Sequence, residues 1–503
     1  MPIVPWHGLA WLLQLECLLC RHREINMAQG KNGFKRTLFT VGGVLLALLV
    51  IAVSALVYLG VPRNAAGMAA KGLCSAAFVA GRPAKELFAQ DVLPASPVLA
   101  AISVSVDEAD HSVTARFAGV VSRRAVLLRD RGCVLDEEPD PAAQAYKPSV
   151  DATKPWPEGE AAVLPGQWGP DVDAAKLQHV LDSAFTGAGD PLAANARGVA
   201  VVHKGRMLAL RDAPGFTPGT ALHGWSMTKT VTGMLTHKLA AENGLPLDAA
   251  VVDAFPAGRE PAWVADWRKD ARKRIKVSDL LYMRDGLAST EDYNPWGSVP
   301  QMLWGSPDVA AWAANHPAEA APGTRWRYLS ATANLLSAVA RGRFANDADY
   351  WAYPYKALFG PIGARSAVME TDTEGNWVGS SYLWASVGDW ARLGQLMLQD
   401  GKWGDVQVLP PGWLKRARMP STAQGQGRGY GAQSWLFGNP QEGECKAYPG
   451  VPADTVAMSG HWGQMVAVVP SREAVVVRLG WTFKRGQFDN CRLLADVLAT
   501  LPQ

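Results

Sequence analysis

The sequence carries little net charge: 49 Lys and Arg against 46 Asp and Glu leave a formal +3 over 503 residues. It has no long basic stripe, so nothing in it calls for a nucleic-acid partner. The nearest candidate, 268–276, is interrupted by Asp270 and followed by an apolar run, and reads as a solvated face. There is no His-Glu-x-x-His zinc pair and no glycine-rich phosphate loop, so neither a metal nor a cofactor is expected. No internal repeat or low-complexity tract is visible, which argues against a solenoid. Cysteine is scarce as well, at six residues.

What the sequence does have is one long uncharged stretch. Residues 37–59 read TLFTVGGVLLALLVIAVSALVYL, about the length of a bilayer span. Lys31, Lys35 and Arg36 precede it closely, and only Arg63 and Lys71 follow. The positive-inside rule then predicts a cytoplasmic leader over 1–36, a transmembrane helix over 37–59 in the inner membrane, and a periplasmic remainder. A cleaved signal peptide is the competing reading, but its apolar core should be shorter and no small-x-small site follows. Residues 1–26 look like a mis-chosen start, because Met27 opens a more usual leader. Cys17 and Cys20 fall in that leader and form only half a motif.

Cys74, Cys133, Cys445 and Cys491 lie beyond the stretch, where an oxidising compartment can pair them. Four cysteines allow three connectivities. Cys74–Cys133 with Cys445–Cys491 is favoured, because each pair stays within one sequence region.

Beyond the stretch, 65–82 reads as helix, and 98–106, 112–121 and 125–128 alternate like strands. They suggest a small β-rich region over 63–160 that ends in a Pro- and acid-rich linker. A second pattern fills 161–503. It opens with a helix at 175–185 and a hairpin around Lys204-Gly205, and its helices include 227–242, closed by Asn243-Gly244. Val-rich strands near 455–479 and a last helix complete it. Strands at both ends with helices between predict an α+β fold, an α/β sandwich whose sheet is made from the two ends.

The start of the 227–242 helix reads His223-Gly-Trp-Ser226-Met-Thr-Lys229. Ser226 and Lys229 share one helical face. A serine hydroxyl needs a base to take its proton, and a buried lysine beside a helix N-terminus can be neutral enough to serve. By itself the spacing means little, since Ser is a common cap and Lys a common helix residue. The nucleophile elbow G-x-S-x-G is not met, because Thr228 stands where its second glycine belongs.

Two further groups follow in order: Pro322-Gly-Thr-Arg-Trp-Arg-Tyr328-Leu-Ser330, and Ser459-Gly460-His461-Trp462-Gly463-Gln464. With these the chain resembles the β-lactamase and penicillin-binding-protein superfamily. The likeness is to class C β-lactamase-like hydrolases, including family VIII esterases and 6-aminohexanoate-dimer hydrolases, and covers 165–503. The stretches 280–287 and 358–363 resemble further conserved segments of that family.

The resemblance implies a β-lactamase/transpeptidase-like domain, with an antiparallel sheet flanked by helices. Ser226 would be the nucleophile, Lys229 its base and Tyr328 the second proton-transfer group, its phenol lowered by neighbouring cations. Backbone N–H groups of Ser226 and Gln464 would form the oxyanion hole. Ser330, His461, Trp462 and Gly463 would line the substrate site, and Tyr293 in a roofing loop would contact substrate. Where β-lactamases carry Asn and Lys-Thr-Gly, this chain has Ser330 and His461-Trp462-Gly463. A histidine is a cation only near or below its pKa. Trp225, Trp296 and Trp384 could add an apolar pocket. These departures favour an ester or small-amide substrate. A D,D-peptidase or β-lactamase acting on cell-wall-like substrates, or a non-turnover sensor, are the alternatives.

Overall fold

The computed structural model describes residues 32–145, 151, 153–186, 194–422, 427, 429–484 and 486–502. The expectations about 1–26, Cys17 and Cys20 lie outside the described residues. Two compact units result, 1–61 and 62–503. In the first, helix α1 (Asn32–Tyr58) contains most of the expected span. Among the described residues no helix is long and apolar enough to cross a membrane.

The second unit opens with α2 (Val61–Cys74) and a π-turn over Ser75–Val79, matching the expected 65–82 helix. A meander follows: β1 (Ile102–Asp107), β2 (Ser112–Phe117), β3 (Val121–Leu128) and β4 (Gly132–Leu135), each antiparallel to the next. Cys74 at the end of α2 is bonded to Cys133 in β4, with Cα atoms 5.9 Å apart. The boundary expected near 160 does not separate two compact units. A single apolar cluster runs from Ala66, Leu73 and Cys133 to Trp267, Leu335 and Trp384.

Next come α3 (Ala174–Thr186), β5 (Ala196–His203), β6 (Arg206–Asp212), the short β7 (Leu222–His223) and α4 (Met227–Glu242). Helix α5 (Ser330–Arg341) precedes β8 (Val368–Met369), β9 (Leu383–Ala385) and α6 (Val387–Leu398). After the small ladder of β10 (Lys402–Trp403) and β11 (Val406–Gln407) come β12 (Val456–Gly460), β13 (Gln464–Val469), β14 (Ala474–Gly480) and α7 (Asn490–Leu498).

The main sheet is antiparallel, in the order β12-β13-β14-β5-β6, so it does join the two ends of the region. Residues 199–202 of β5, 465–469 of β13 and 474–477 of β14 are apolar without a break because both faces of the sheet are covered. In β13, Met465, Ala467 and Val469 pack with Leu177 of α3 and Leu494 of α7. Val466 and Val468 point the other way, toward Leu393 of α6 and Val231 of α4. The period of two thus splits one strand between two cores. Helix α6 lies against the sheet at Gly394, where a Cβ would come 2.5 Å from Val475 Cγ1. Cys445 is bonded to Cys491 at the start of α7, with Cα atoms 5.2 Å apart, completing the expected pairing.

Candidate active site

The site forms where the N-termini of α4 and α5 meet the turn between β12 and β13. Trp225 takes a left-handed backbone, φ 49°, immediately before Ser226. A non-glycine residue held there is strained by about 1–2 kcal/mol. The turn presents Ser226 at the N-cap of α4, and its approach to β12 is tight. A Cβ at Gly460 would lie 2.3 Å from Gly224 O, so backbone meets backbone there.

Lys229 Nζ lies 2.8 Å from Ser226 Oγ, 3.0 Å from Ser330 Oγ and 3.1 Å from Ser380 O. Burial pushes the Lys229 ammonium down to about 8, and the Glu291 carboxylate opposes that shift. Glu291 accepts from Ser330 twice: from Oγ at 2.7 Å and from the backbone N–H at 2.6 Å. These partners fix a direction for the proton. Ser330 has one hydroxyl hydrogen, and it is given to Glu291. A carbonyl such as Ser380 O can only accept. A neutral Lys229 therefore donates to Ser330 and Ser380, and the one neighbour able to donate to its lone pair is Ser226 O–H. Glu291 was not among the residues singled out from sequence. Its only signal is an acidic side chain two positions before Tyr293, in a loop with no regular pattern.

Tyr328 packs beside this group, with Lys229 Nζ 4.7 Å from its ring centroid and Trp435 at 5.0 Å. The expected lowering of its phenol by cations is not found. Burial raises it above the ordinary value and Glu291 adds to that, while interaction with Ser226 opposes. Tyr328 is a neutral phenol, and so a proton donor rather than a standing base. Tyr293 is brought in as expected. Its hydroxyl donates to Glu291 Oε1 at 3.3 Å, and its ring stacks on His461 at 4.3 Å. Burial, then Lys229, pushes the His461 imidazole down to about 4, so at neutral pH it supplies no cation.

Trp462 turns through a left-handed φ of 61° and meets Trp225 edge-on at 5.1 Å. Gly463 follows, with its carbonyl accepting from Arg478 Nη1 at 2.9 Å; a Cβ there would lie 2.5 Å from that nitrogen. The Gln464 side chain is buried and clamps the turn. Its Nε2 donates to His461 O at 3.0 Å, and its Oε1 accepts from Gly480 N at 3.0 Å.

A cavity of ≈520 Å³ opens beside the nucleophile turn, lined by Trp225, Glu291, Tyr293, Trp304, His461 and Trp462 among others. No lysine or arginine is among its described lining residues. Gly463 does not line it, nor do the other two tryptophans expected there. Trp296 is about half exposed, and Trp384 is buried in a stack on His223.

A family model for β-lactamases matches residues 181–499, well over half of the chain. The chain belongs to the β-lactamase family. It is accordingly a serine hydrolase, and Ser226, Lys229 and the β12–β13 turn all lie inside the matched stretch. No curated protein matches it. Among solved structures, a Bacillus anthracis protein assigned as a 6-aminohexanoate-dimer hydrolase is 18% identical, with a TM-score of 0.50, over 68% of this chain and 88% of that one. A penicillin-binding-protein homologue from Caulobacter crescentus is 15% identical, with a TM-score of 0.48, over 65% and 97%. A class C β-lactamase in complex with cefoxitin is 15% identical, with a TM-score of 0.47, over 66% and 100%. At 18% identity and a TM-score of 0.50, the first of these speaks to the fold alone. Within this β-lactamase-family chain, residues 62–180 lie outside the matched stretch.

Proposed function

We propose that this β-lactamase-family hydrolase cleaves an ester or small amide through a covalent acyl-enzyme. The observation that carries the reading is the arrangement of partners around Lys229, which leaves only the Ser226 proton for its lone pair. Ser226 Oγ attacks the carbonyl carbon as its proton passes to Lys229 Nζ. The oxyanion forms against the backbone N–H groups of Ser226 and Gln464. As the bond to the leaving oxygen or nitrogen breaks, the Tyr328 hydroxyl protonates that atom, and Lys229 returns the proton to Tyr328. Water then attacks the acyl carbon, gives one proton to the same relay, and Ser226 is restored.

The cavity supports an ester or neutral amide over the β-lactam and cell-wall-like alternatives. A carboxylate on the substrate would meet Glu291 and Asp292, a neutral His461, and no lysine or arginine on the described walls. The two disulfides support work in an oxidising compartment outside the cytoplasm. The test is labelling with a fluorophosphonate and with a fluorescent penicillin, together with p-nitrophenyl ester turnover, in wild type and Ser226→Ala. Ser226-dependent fluorophosphonate labelling with ester turnover is expected. Penicillin labelling without ester turnover would favour the alternative, and no Ser226-dependent labelling would overturn the hydrolase reading.

A further inference from the structure

The cavity beside Ser226 is not built by the matched stretch alone. Asn64, Ala65 and Met68 of α2, with Ser96, Val98 and Leu99 just before β1, also line it and form one of its walls. All six lie in the region that sequence reading left without a role. We propose that this wall is a specificity element: it closes an acyl-binding pocket that accepts an uncharged, apolar acyl chain. The proposal rests on the reading of Ser226 as the acylated nucleophile.

Three observations carry it. The first is the cavity's place beside the nucleophile. Trp225, the residue before Ser226, lines it together with His461 and Trp462 of the β12–β13 turn. Tyr328, the proton donor to the leaving group, is not among its lining residues, and the cavity is assigned to the part of the substrate that stays bonded to Ser226. The second is the chemistry of the walls. Met68, Val98, Leu99, Pro300, Trp304 and Phe483 supply apolar surface, and the charged groups present, Glu291 and Asp292, are both acidic. An alkyl chain is drawn in, and a carboxylate-bearing one is repelled.

The third is that the wall is fixed in place. Asn64 Nδ2 donates to Pro295 O in the roofing loop at 3.4 Å, and a Cβ at Gly67 would meet Trp304 at 3.0 Å. One turn further, Lys71 pairs with Glu370 at 3.0 Å, and Cys74 is bonded to Cys133. A wall held at both ends selects by size.

The experiment reads inactivation of the full chain by alkyl fluorophosphonates of increasing chain length, and kcat/KM for the matching p-nitrophenyl esters. Each methylene seated in an apolar cavity should raise the rate up to about fourfold, until the cavity is filled. In Met68→Trp and Val98→Trp, both partly buried positions, the wall moves inward. Preference should shift toward shorter chains, with about a tenfold loss on chains that wild type favours and less than about twofold on the shortest reagent. Met68→Ala should shift preference the other way, and it keeps the test decisive if a tryptophan variant fails to fold. A chain-length profile identical in wild type and all folded variants, with Ser226 still labelled, would overturn this proposal and leave the hydrolase reading standing. Absence of any Ser226 labelling would overturn both.

Discussion

Lys71 and Lys229 are both buried, and each has at least one serine and a glutamate nearby. Lys71 touches its glutamate directly, with Nζ 3.0 Å from Glu370 Oε2. Glu370 also accepts from Ser75 Oγ at 2.8 Å, the Cys133 N–H at 2.8 Å and Trp384 Nε1 at 3.2 Å. Burial lowers the Lys71 ammonium and Glu370 opposes it, so the pair forms a satisfied ionic tie between α2, β4 and the body of the fold. Lys229 makes no ion pair among the described residues. Ser330 stands between it and Glu291. The carboxylate is close enough to bias the lysine and too far to pin its charge. The contrast separates a lysine that holds structure from one able to exchange a proton: what differs is one interposed hydroxyl.

The widest gap between the two should come from Lys229→Met. Loss of a general base costs about 10²–10⁴-fold, so ester turnover and fluorophosphonate labelling should fall by about 10³-fold. Stability should hold or rise, since a buried cation without an ion-pair partner has been removed. Denaturant unfolding measured beside labelling checks both. Unfolding of this variant would break the comparison.

Lys71→Met should do the reverse. It strands Glu370 as an unpaired buried carboxylate, which costs about 3–5 kcal/mol. The midpoint of urea unfolding should drop accordingly, while the folded fraction still labels at Ser226. Adding Glu370→Gln should recover part of the loss, because the two changes are coupled through one contact. A Lys71→Met variant that is fully stable, or folded but unreactive, would show that the pair is more than a tie.

How far the sequence disclosed these parts depends on how local each signal is. Ser226 and Lys229 were legible because three residues on a helix make a pair. Tyr328, Ser330, His461 and Trp462 were legible only through motif order, since nothing local says that a chain brings them together. The Val-rich strands announced a sheet, and only the packing shows that both its faces are covered. Glu291 was hidden because its role is long-range: an acidic loop residue acquires meaning only when Ser330, 39 positions on, folds against it. The wall of α2 was hidden for the same reason. Its helix was read correctly, but the linker after it suggested a separate region, whereas its buried face joins the common core. The sign of the Tyr328 shift was misread because burial and a carboxylate dominate there.

The smallest expected effect is also the finest test of the contrast, and it falls on Glu291→Gln. The Glu291 charge raises Lys229 against the downward push of burial. Removing that charge lowers Lys229 further, so its neutral, proton-accepting form persists to lower pH. The acid limb of kcat/KM, expected to follow Lys229, should therefore move down. The plateau should fall too. A glutamine amide can donate to Ser330 Oγ, which turns the Ser330 hydrogen toward the lone pair that Ser226 must reach. Losing one correctly directed buried hydrogen bond costs about 1–3 kcal/mol, a fall of about tenfold or more. A pH profile of ester turnover in the two proteins reads both effects at once. A limb that stays put while the plateau falls would mean that Glu291 orients Ser330 without setting the Lys229 charge. A limb that moves while the plateau holds would mean the opposite. Movement of both is what an interposed hydroxyl requires, because it passes the carboxylate's field and its hydrogen-bond polarity to the same nitrogen.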